Sequence, residues 1–298
     1  IKDPVGMSGN RLEADFHIIT AQTTAINNIN KCVKRAQLSS KQLILEPLAS
    51  SLSVLSEEEK EAGVCLIDIG GGTTDIAIFY ENIIRHTAVI PLGGNIITAD
   101  IKEGCMLMQN QAELLKTRFG KAIAAEANPN EIVSIPGLKN RAPKEISIRN
   151  LASIIQARME EIIEIVQNEI MQSGYYKKLA GGIVLTGGGS QMQFISQLFE
   201  YMTGLDTRIG FPNEHLGKSV LEDVKSPMYA TTVGLVLAGF KSLDMREEIY
   251  QNRRANSGVK PKQVETRDKI SKDFFKNIGE RLKGIISDDI GDDTAYGN

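Results

Sequence analysis

Asp68-Ile69-Gly70-Gly71-Gly72-Thr73-Thr74-Asp75 places three consecutive glycines and two threonines between two acids. Glycine backbone can aim N–H groups into an anion, and the Thr73 and Thr74 hydroxyls add donors. Asp68 ends an apolar run and is suited to a hydrated divalent cation, which usually meets protein through one or two carboxylates. An ordinary tight hairpin also uses glycine for positive φ. One glycine would satisfy it, and three in a row between two acids fit a phosphate cradle better. Two further glycine turns follow, Gly93-Gly94 and Gly187-Gly188-Gly189-Ser190. The latter lies between a strand-like run and a helix, a place where the helix dipole favours an anion or nucleotide. Each turn alone is weak evidence; three turns converging on one ligand are far more specific.

The flanking elements must bring these turns together. Gly63 to Ile67 and Ile76 to Tyr80 are short apolar runs joined as a β-hairpin. Upstream, Arg11 to Thr20 alternates apolar and polar residues, the pattern of a half-buried strand. Thr23 to Leu38 reads as a helix with Ile26, Ile29, Val33 and Ala36 on one side and Thr23 or Thr24 as its cap. Leu43-Ile44-Leu45 reads as a strand ending in Glu46-Pro47, with Pro47 opening a small-residue helix. Glu57 to Glu61 reads as a solvated loop. Downstream come a strand at His86 to Ile90, a helix from Thr98, and a helix from Ala112 to near Gly120. Strands at Glu131 to Ile135 and Lys144 to Ile148 precede one long helix, Ile148 to Ser173. A buried strand at Ala180 to Leu185 and a helix at Phe194 to Tyr201 follow. Thr207 to Pro212 is a strand and turn, and Pro227 to Phe240 an apolar helix.

From Asp244 to Thr266 the composition turns polar and charged, as in a linker. Beyond it, Ile270, Phe274, Phe275, Ile278, Leu282, Ile285 and Ile286 recur at helical spacing, with Lys269, Lys272, Lys276, Arg281 and Lys283 on the remainder. Such a basic amphipathic helix suits an anionic bilayer surface; packing on the domain or on a partner is the alternative. The tail from Asp288 is acidic.

At 298 residues, 42% hydrophobic and with a net charge of −3, the chain reads as a soluble globular protein of up to two domains and not a nucleic-acid binder. Cys32, Cys65 and Cys105 are scattered and odd in number, which fits reduced thiols in a cytosolic protein. His17, His86 and His215 lack ligand spacing, and no apolar run reaches membrane-spanning length. The first residue is Ile1, so the sequence is expected to lack its N-terminal part.

The three glycine turns in this order, with Glu113 and Lys116 between the second and third, resemble the second half of the actin, sugar-kinase and DnaK-type chaperone superfamily. Within it the chain is similar to the bacterial cell-division family FtsA. That likeness rests on Val5 to Ala14, Leu45-Glu46-Pro47-Leu48-Ala49-Ser50-Ser51-Leu52, Asp68 to Asp75, Thr98-Ala99-Asp100-Ile101, and Pro227 to Gly239. The resemblance implies an α/β, actin-like (ribonuclease H-like) ATPase fold with an incomplete first half and a C-terminal amphipathic helix. It implies ATP and Mg²⁺ as cofactors. Gly70, Gly71, Gly72, Thr73, Thr74, Asp75, Gly93 and Gly94 would embrace the phosphates. Gly187, Gly188, Gly189 and Ser190 would carry the adenosine, with Glu113 and Lys116 along ribose and base. Glu46 and Asp68 would position Mg²⁺, through water, and the attacking water. Hydrolysis would be slow at most.

By the same resemblance, residues 1–38 are the remainder of subdomain IC, and 39–62 with 223–243 are parts of subdomain IA. Residues 63–103 and 180–222 form the nucleotide-binding subdomain IIA, and 104–179 subdomain IIB. A linker at 244–266, a membrane-targeting helix at 267–286 and an acidic tail at 287–298 complete the chain. The implied partners are the C-terminal tail of the tubulin-like FtsZ, a second copy in a filament, the anionic membrane surface and later divisome proteins. Arg149, just before the long helix, and Arg158 on it would meet the acidic FtsZ tail; an ordinary exposed arginine is as good an account of each. Phe274, Phe275, Ile278, Leu282 and Ile285 would enter the membrane. The implied location is cytoplasmic, peripheral on the inner membrane face at the division site. An MreB-like protein, a chaperone or a sugar kinase would use the same cradle. The helices at 47–55 and 227–240 are expected to lack their main packing partner.

Overall fold

The structure, a computed structural model, describes residues 6–14, 16–137, 142–212, 216 and 222–257, with backbone alone from 245. It falls into two units, 1–242 and 243–298, and the site lies in the first. In the stretch expected as a strand at Arg11 to Thr20, the described residues belong to no strand, and Leu12, Phe16 and Ile18 are exposed. A strand needs a neighbour for its N–H and C=O groups; His17 Nε2 comes within 3.4 Å of Thr87 Oγ1 on the strand Ile83–Ile90, but none of the described strands pairs its backbone with this stretch. Leu43 to Leu45 is unpaired for the same reason.

Helix α1 (Thr23–Arg35) buries no side chain and starts after Gln22 without a side-chain cap, so neither Thr23 nor Thr24 serves as one. Helix α2 (Glu46–Val54) carries Pro47 in its first turn. Residues expected as a loop form helix α3 (Glu57–Ala62) instead. Ser56 Oγ accepts from the Glu59 N–H at 3.2 Å, and Glu59 Oε2 accepts from the Ser56 N–H at 2.9 Å. That reciprocal cap offsets the repulsion of a short acidic run.

Strand β1 (Val64–Ile69) is buried along its length and turns through the glycines into the antiparallel β2 (Thr74–Tyr80). Strand β3 (Ile83–Ile90) pairs with β2. Helices α4 (Gly94–Gly104) and α5 (Gln109–Phe119) follow, α4 starting four residues before the expected Thr98. Strands β4 (Ile132–Ile135) and β5 (Lys144–Ser147) form a separate hairpin before α6 (Ile148–Gln172), whose first turn includes Arg149. Strand β6 (Ile183–Thr186) runs parallel to β1, then come α7 (Ile195–Thr203) and β7 (Thr207–Ile209). The main sheet has the order β3-β2-β1-β6-β7.

Helix α8 (Ala230–Ser257) continues well past Asp244, so the expected linker is helical as far as Ser257. Its polar residues there are mostly Glu, Arg and Gln, which favour helix. The membrane-targeting helix at 267–286 and the acidic tail at 287–298 lie outside the described residues.

Alternation along β1 and β2 divides the core between the two sheet faces. Cys65, Ile67, Ile69, Ile76 and Ile78 share one cluster with residues of α4, α6 and α7. Val64, Leu66, Ala77 and Phe79 share the other with Val54 and Ala230. Helices α2 and α8 therefore pack on this sheet face and on each other, while Leu235, Val236 and Phe240 of α8 stay exposed. Ser53 Oγ donates to Ala230 O at 2.7 Å, and Gly234 sits directly against the Ala49 carbonyl.

Candidate nucleotide site

The β1–β2 register sets Asp68 opposite Asp75 and Ile69 opposite Thr74, leaving Gly70 to Thr73 as the turn. The turn is closed by the Gly70 N–H donating to Thr73 O at 2.9 Å. It is also docked on the start of α4: Gly94 N–H donates to Gly70 O at 2.9 Å and Asn95 N–H to Gly71 O at 2.7 Å. The backbones approach so closely that a Cβ on Gly93 would lie 2.7 Å from Gly70 O. The first two α4 N–H groups are thus used on the hairpin, and the third, of Ile96, donates to Gly93 O. The N–H groups of Gly71, Gly72 and Thr73 make no hydrogen bond among the described residues, and neither do those of Gly188 and Gly189.

Helix α5 contributes Glu113 and Lys116, one turn apart. Lys116 Nζ donates to Gly94 O at 2.8 Å and Thr98 Oγ1 at 2.7 Å, and pairs with Glu113 Oε2 at 2.8 Å. All three ammonium protons therefore have acceptors. Burial pushes Glu113 up, but hydrogen bonds from Lys116 and Thr98 and the Lys116 charge outweigh it and hold the carboxyl below its ordinary range.

The third turn follows β6 as one turn of 3-10 helix, Gly188–Gln191. Gly187 has φ 82°, and a Cβ there would strike Asp68 Oδ1 and lie 2.6 Å from Ile69 O. Only glycine fits such a left-handed, crowded position. Gly70, Gly71, Gly94, Glu113, Lys116, Gly188 and Gly189 line a single cleft of about 360 Å³, with Met192 and Met228 on its wall. A larger cleft of about 660 Å³ opens beyond Ser190 to Met192, but none of those glycines lines it.

The acids gather at one end of this arrangement. Asp68 is 5% exposed and accepts from Ser50 Oγ at 3.0 Å. Burial pushes Asp68 up, with the Asp75 charge adding to it and the Ser50 and Thr231 hydroxyls opposing it. Burial also raises Asp75, against a hydrogen bond from Thr73 Oγ1 at 3.0 Å. Glu46, at the start of α2, is exposed at the surface, and partial burial, then the Asp68 and Asp75 charges, push its carboxyl up. Among the described residues, no three acidic, histidine or cysteine side chains are set to hold a metal ion directly.

Several of the expected site residues have partners within the protein. Thr73 Oγ1 bonds Asp75, Thr74 Oγ1 donates to Leu92 O at 2.8 Å, and Ser190 Oγ donates to Gly187 O at 2.8 Å. These hydroxyls are engaged within the protein, and the groups of the glycine turns without a partner among the described residues are backbone N–H groups. Arg158 forks onto Asp100, at 2.6 and 3.0 Å, and pairs with Glu161, so it braces α6 against α4. Arg149 is exposed on α6, and no acid among the described residues pairs with it. Ser50 and Thr231 lie inside the stretches Leu45 to Leu52 and Pro227 to Gly239, and Asn95 follows Gly94, but nothing in their residue types marks the contacts they make.

The donor set and the close-approach glycines fit a phosphorylated ligand. Asp68, Asp75 and Glu46 are carboxylates of the kind through which a hydrated divalent cation usually meets protein.

The family profile described as "Cell division protein FtsA" matches residues 65–234, and that described as "SHS2 domain inserted in FTSA" matches residues 1–20. The chain is 44% identical over 241 residues to the cell division protein FtsA of Pseudomonas aeruginosa, covering 81% of this chain and 57% of the relative. The FtsA of Escherichia coli K12 is 38% identical over 266 residues, covering 87% and 63%. The chain thus spans somewhat more than half the length of these relatives. Among solved structures, MreB5 of Spiroplasma citri bound to ADP superimposes with a TM-score of 0.61 at 20% identity, covering 76% of this chain and 68% of that one. The PilM–PilN type IV pilus biogenesis complex gives a TM-score of 0.55 at 18% identity, covering 74% and 59%.

Proposed function

Since this chain belongs to the FtsA family of cell-division proteins and has the actin-like fold, we propose that it binds ATP with Mg²⁺ in the glycine-lined cleft and serves as a membrane-tethered protomer of the division apparatus. The observation that carries the nucleotide reading is the convergence of all three glycine turns, with Glu113 and Lys116, on one cleft. MreB5, of like fold, is described with ADP and with AMPPNP bound.

In this reading the N–H groups of Gly71, Gly72 and Thr73 grip the terminal phosphates, and those of Gly188 and Gly189 the inner phosphate and the sugar side. Lys116 acts as a brace that fixes Gly94 and thereby the hairpin carbonyls. Bound Mg²⁺ would supply charge neutralisation between phosphates and acids. Asp68 would orient a water of its shell. Glu46, whose proton affinity is raised, would take the proton of an attacking water, with turnover slow at most. Calorimetry with Mg²⁺-ATP tests the reading, and no heat of binding would overturn it.

Membrane tethering rests on the amphipathic spacing of residues 267–286; among the described residues no helix is long and apolar enough to cross a membrane. The FtsZ tail, further copies of the chain and later divisome proteins are its proposed partners, at the inner membrane face of the division site. Flotation with anionic liposomes should lose the chain when residues 267–298 are deleted; unchanged binding would sink the tether. Arg149 is the open cation for an acidic tail. An acid at Arg158 would have to compete with Asp100 and Glu161. Loss of FtsZ-tail binding in Arg149→Glu with retention in Arg158→Gln is expected, and the reverse pattern would move the dock to Arg158.

A further inference from the structure

The two oxygens of Asp68 have different surroundings. Oδ2 accepts from Ser50 Oγ at 3.0 Å, while Thr231 Oγ1 stands 2.9 Å from Ser50 Oγ and 3.4 Å from Oδ2. Each hydroxyl has one proton to give. Spending both on the shorter contacts makes one directed chain, in which Thr231 donates to Ser50 and Ser50 to Asp68. Donation by Thr231 polarises the Ser50 hydroxyl toward the carboxylate. Ser50 is fully buried, so water does not compete for that bond. Oδ1 faces Gly187, where the missing side chain leaves it room, and it receives no hydrogen bond among the described residues.

The hydroxyls come from two different helices, α2 and α8. Those helices are locked by backbone contact, through Ser53 Oγ on Ala230 O at 2.7 Å and Gly234 against Ala49. The spacing between the two hydroxyls is thus set by packing and not by long flexible side chains. A carboxylate held at one oxygen turns less freely about its terminal torsion, which matters for a cation that demands near-octahedral geometry.

We propose that Ser50 and Thr231 are positioning residues for Asp68, holding Oδ2 so that Oδ1 is the oxygen presented to the hydrated cation of a bound nucleotide. The proposal deepens the nucleotide reading above and rests on it. If the hydroxyls merely satisfied one another in a packed interface, their loss would affect stability, or ATP affinity with and without metal alike. If they position Asp68, their loss affects the part of ATP affinity that depends on Mg²⁺.

The test is calorimetry on the full chain with ATP in Mg²⁺ and with ATP in EDTA, taking the ratio of the two affinities. The Ser50→Ala/Thr231→Val double variant, which keeps the volume at 231, should lose about tenfold of that ratio while its affinity in EDTA is unchanged, as for loss of a hydrogen bond to a charged group. Thr231→Ser keeps the hydroxyl and should keep the ratio. Should the double variant fail to melt cooperatively, Ser50→Ala alone carries the same expectation. An unchanged ratio in the folded variant, or a parallel fall of both affinities, would overturn the positioning role and leave the nucleotide reading standing. No binding by the unmodified chain in either condition would overturn the nucleotide reading, and the positioning role with it.

Discussion

At the scale of single residues, the acid end of the cleft holds charge where the fold alone would prefer none. Asp68 is pushed up by burial, so at neutral pH the folded state bears the cost of keeping it ionised. An amide at that position still accepts from Ser50 and carries no charge. Asp68→Asn should therefore raise the melting temperature of the metal-free chain while abolishing the Mg²⁺ dependence of ATP binding, a trade of function for stability that a thermal melt and calorimetry together would read. The glycines divide as sharply. Gly187→Ala forces a Cβ onto Asp68 at φ 82°, and should cost about 1–3 kcal/mol in a denaturant melt. Gly72 has open space around it and no positive φ. Gly72→Ala should leave the melt within about 0.5 kcal/mol. The hairpin was legible because three glycines between two acids restrict what a turn can do. The fate of the Thr73, Thr74 and Ser190 hydroxyls was not legible. Sequence shows that a donor exists, while its acceptor is a carbonyl or carboxylate that only the folded backbone brings near.

At the scale of elements, α3 carries two opposed signals in its sequence. Ser56 followed three residues later by Glu59 is a helix start, while the run of charge after it has the composition of a solvated loop. The same Glu59 joins distant elements. Both Nε and Nη2 of Arg208 on β7 donate to its carboxylate at 2.7 Å, and Nη2 also reaches Val54 O at 2.9 Å, at the end of α2. Burial alone would raise Glu59, yet the Arg208 hydrogen bonds, the Ser56 N–H and the Arg208 charge together hold it below its ordinary range. A carboxyl depressed in the folded state contributes stability above its unfolded pKa of about 4.3, and that contribution is lost as pH falls through the lower folded value. Arg208 is largely exposed, so the pair is worth about 1 kcal/mol or less after screening. Glu59→Gln should destabilise by that amount at pH 7. Denaturant melts below about pH 4 should show the gap to the unmodified chain closing, since there the native glutamate becomes neutral too. A gap that persists undiminished would assign the effect to the helix cap rather than to the ion pair.

At the scale of the whole molecule, the order of glycine turns made the fold class readable, since each turn follows a strand and the strands share one sheet. What the sequence could not show was how α2 and α8 are covered. Their contact is made by Ala49, Ser53, Ala230 and Gly234, small residues whose apolar signal is faint but whose backbones can touch. The inner face of α8 is closed in this way, while Leu235, Val236 and Phe240 on its outer side remain exposed. Contiguous apolar surface of this kind marks a place where other protein binds or where chains associate. An environment-sensitive dye that fluoresces on apolar surface should therefore bind the folded chain, and Leu235→Ser/Phe240→Ser should cut that signal several-fold. Because neither side chain is buried, the double variant should melt within about 0.5 kcal/mol of the unmodified chain. The pairing of the two readouts decides between accounts of this surface. Lost dye binding with an intact melt identifies an open patch on α8. Lost dye binding with a lowered melt would mean that these side chains support the fold, and unchanged dye binding would mean that the face is already covered in solution.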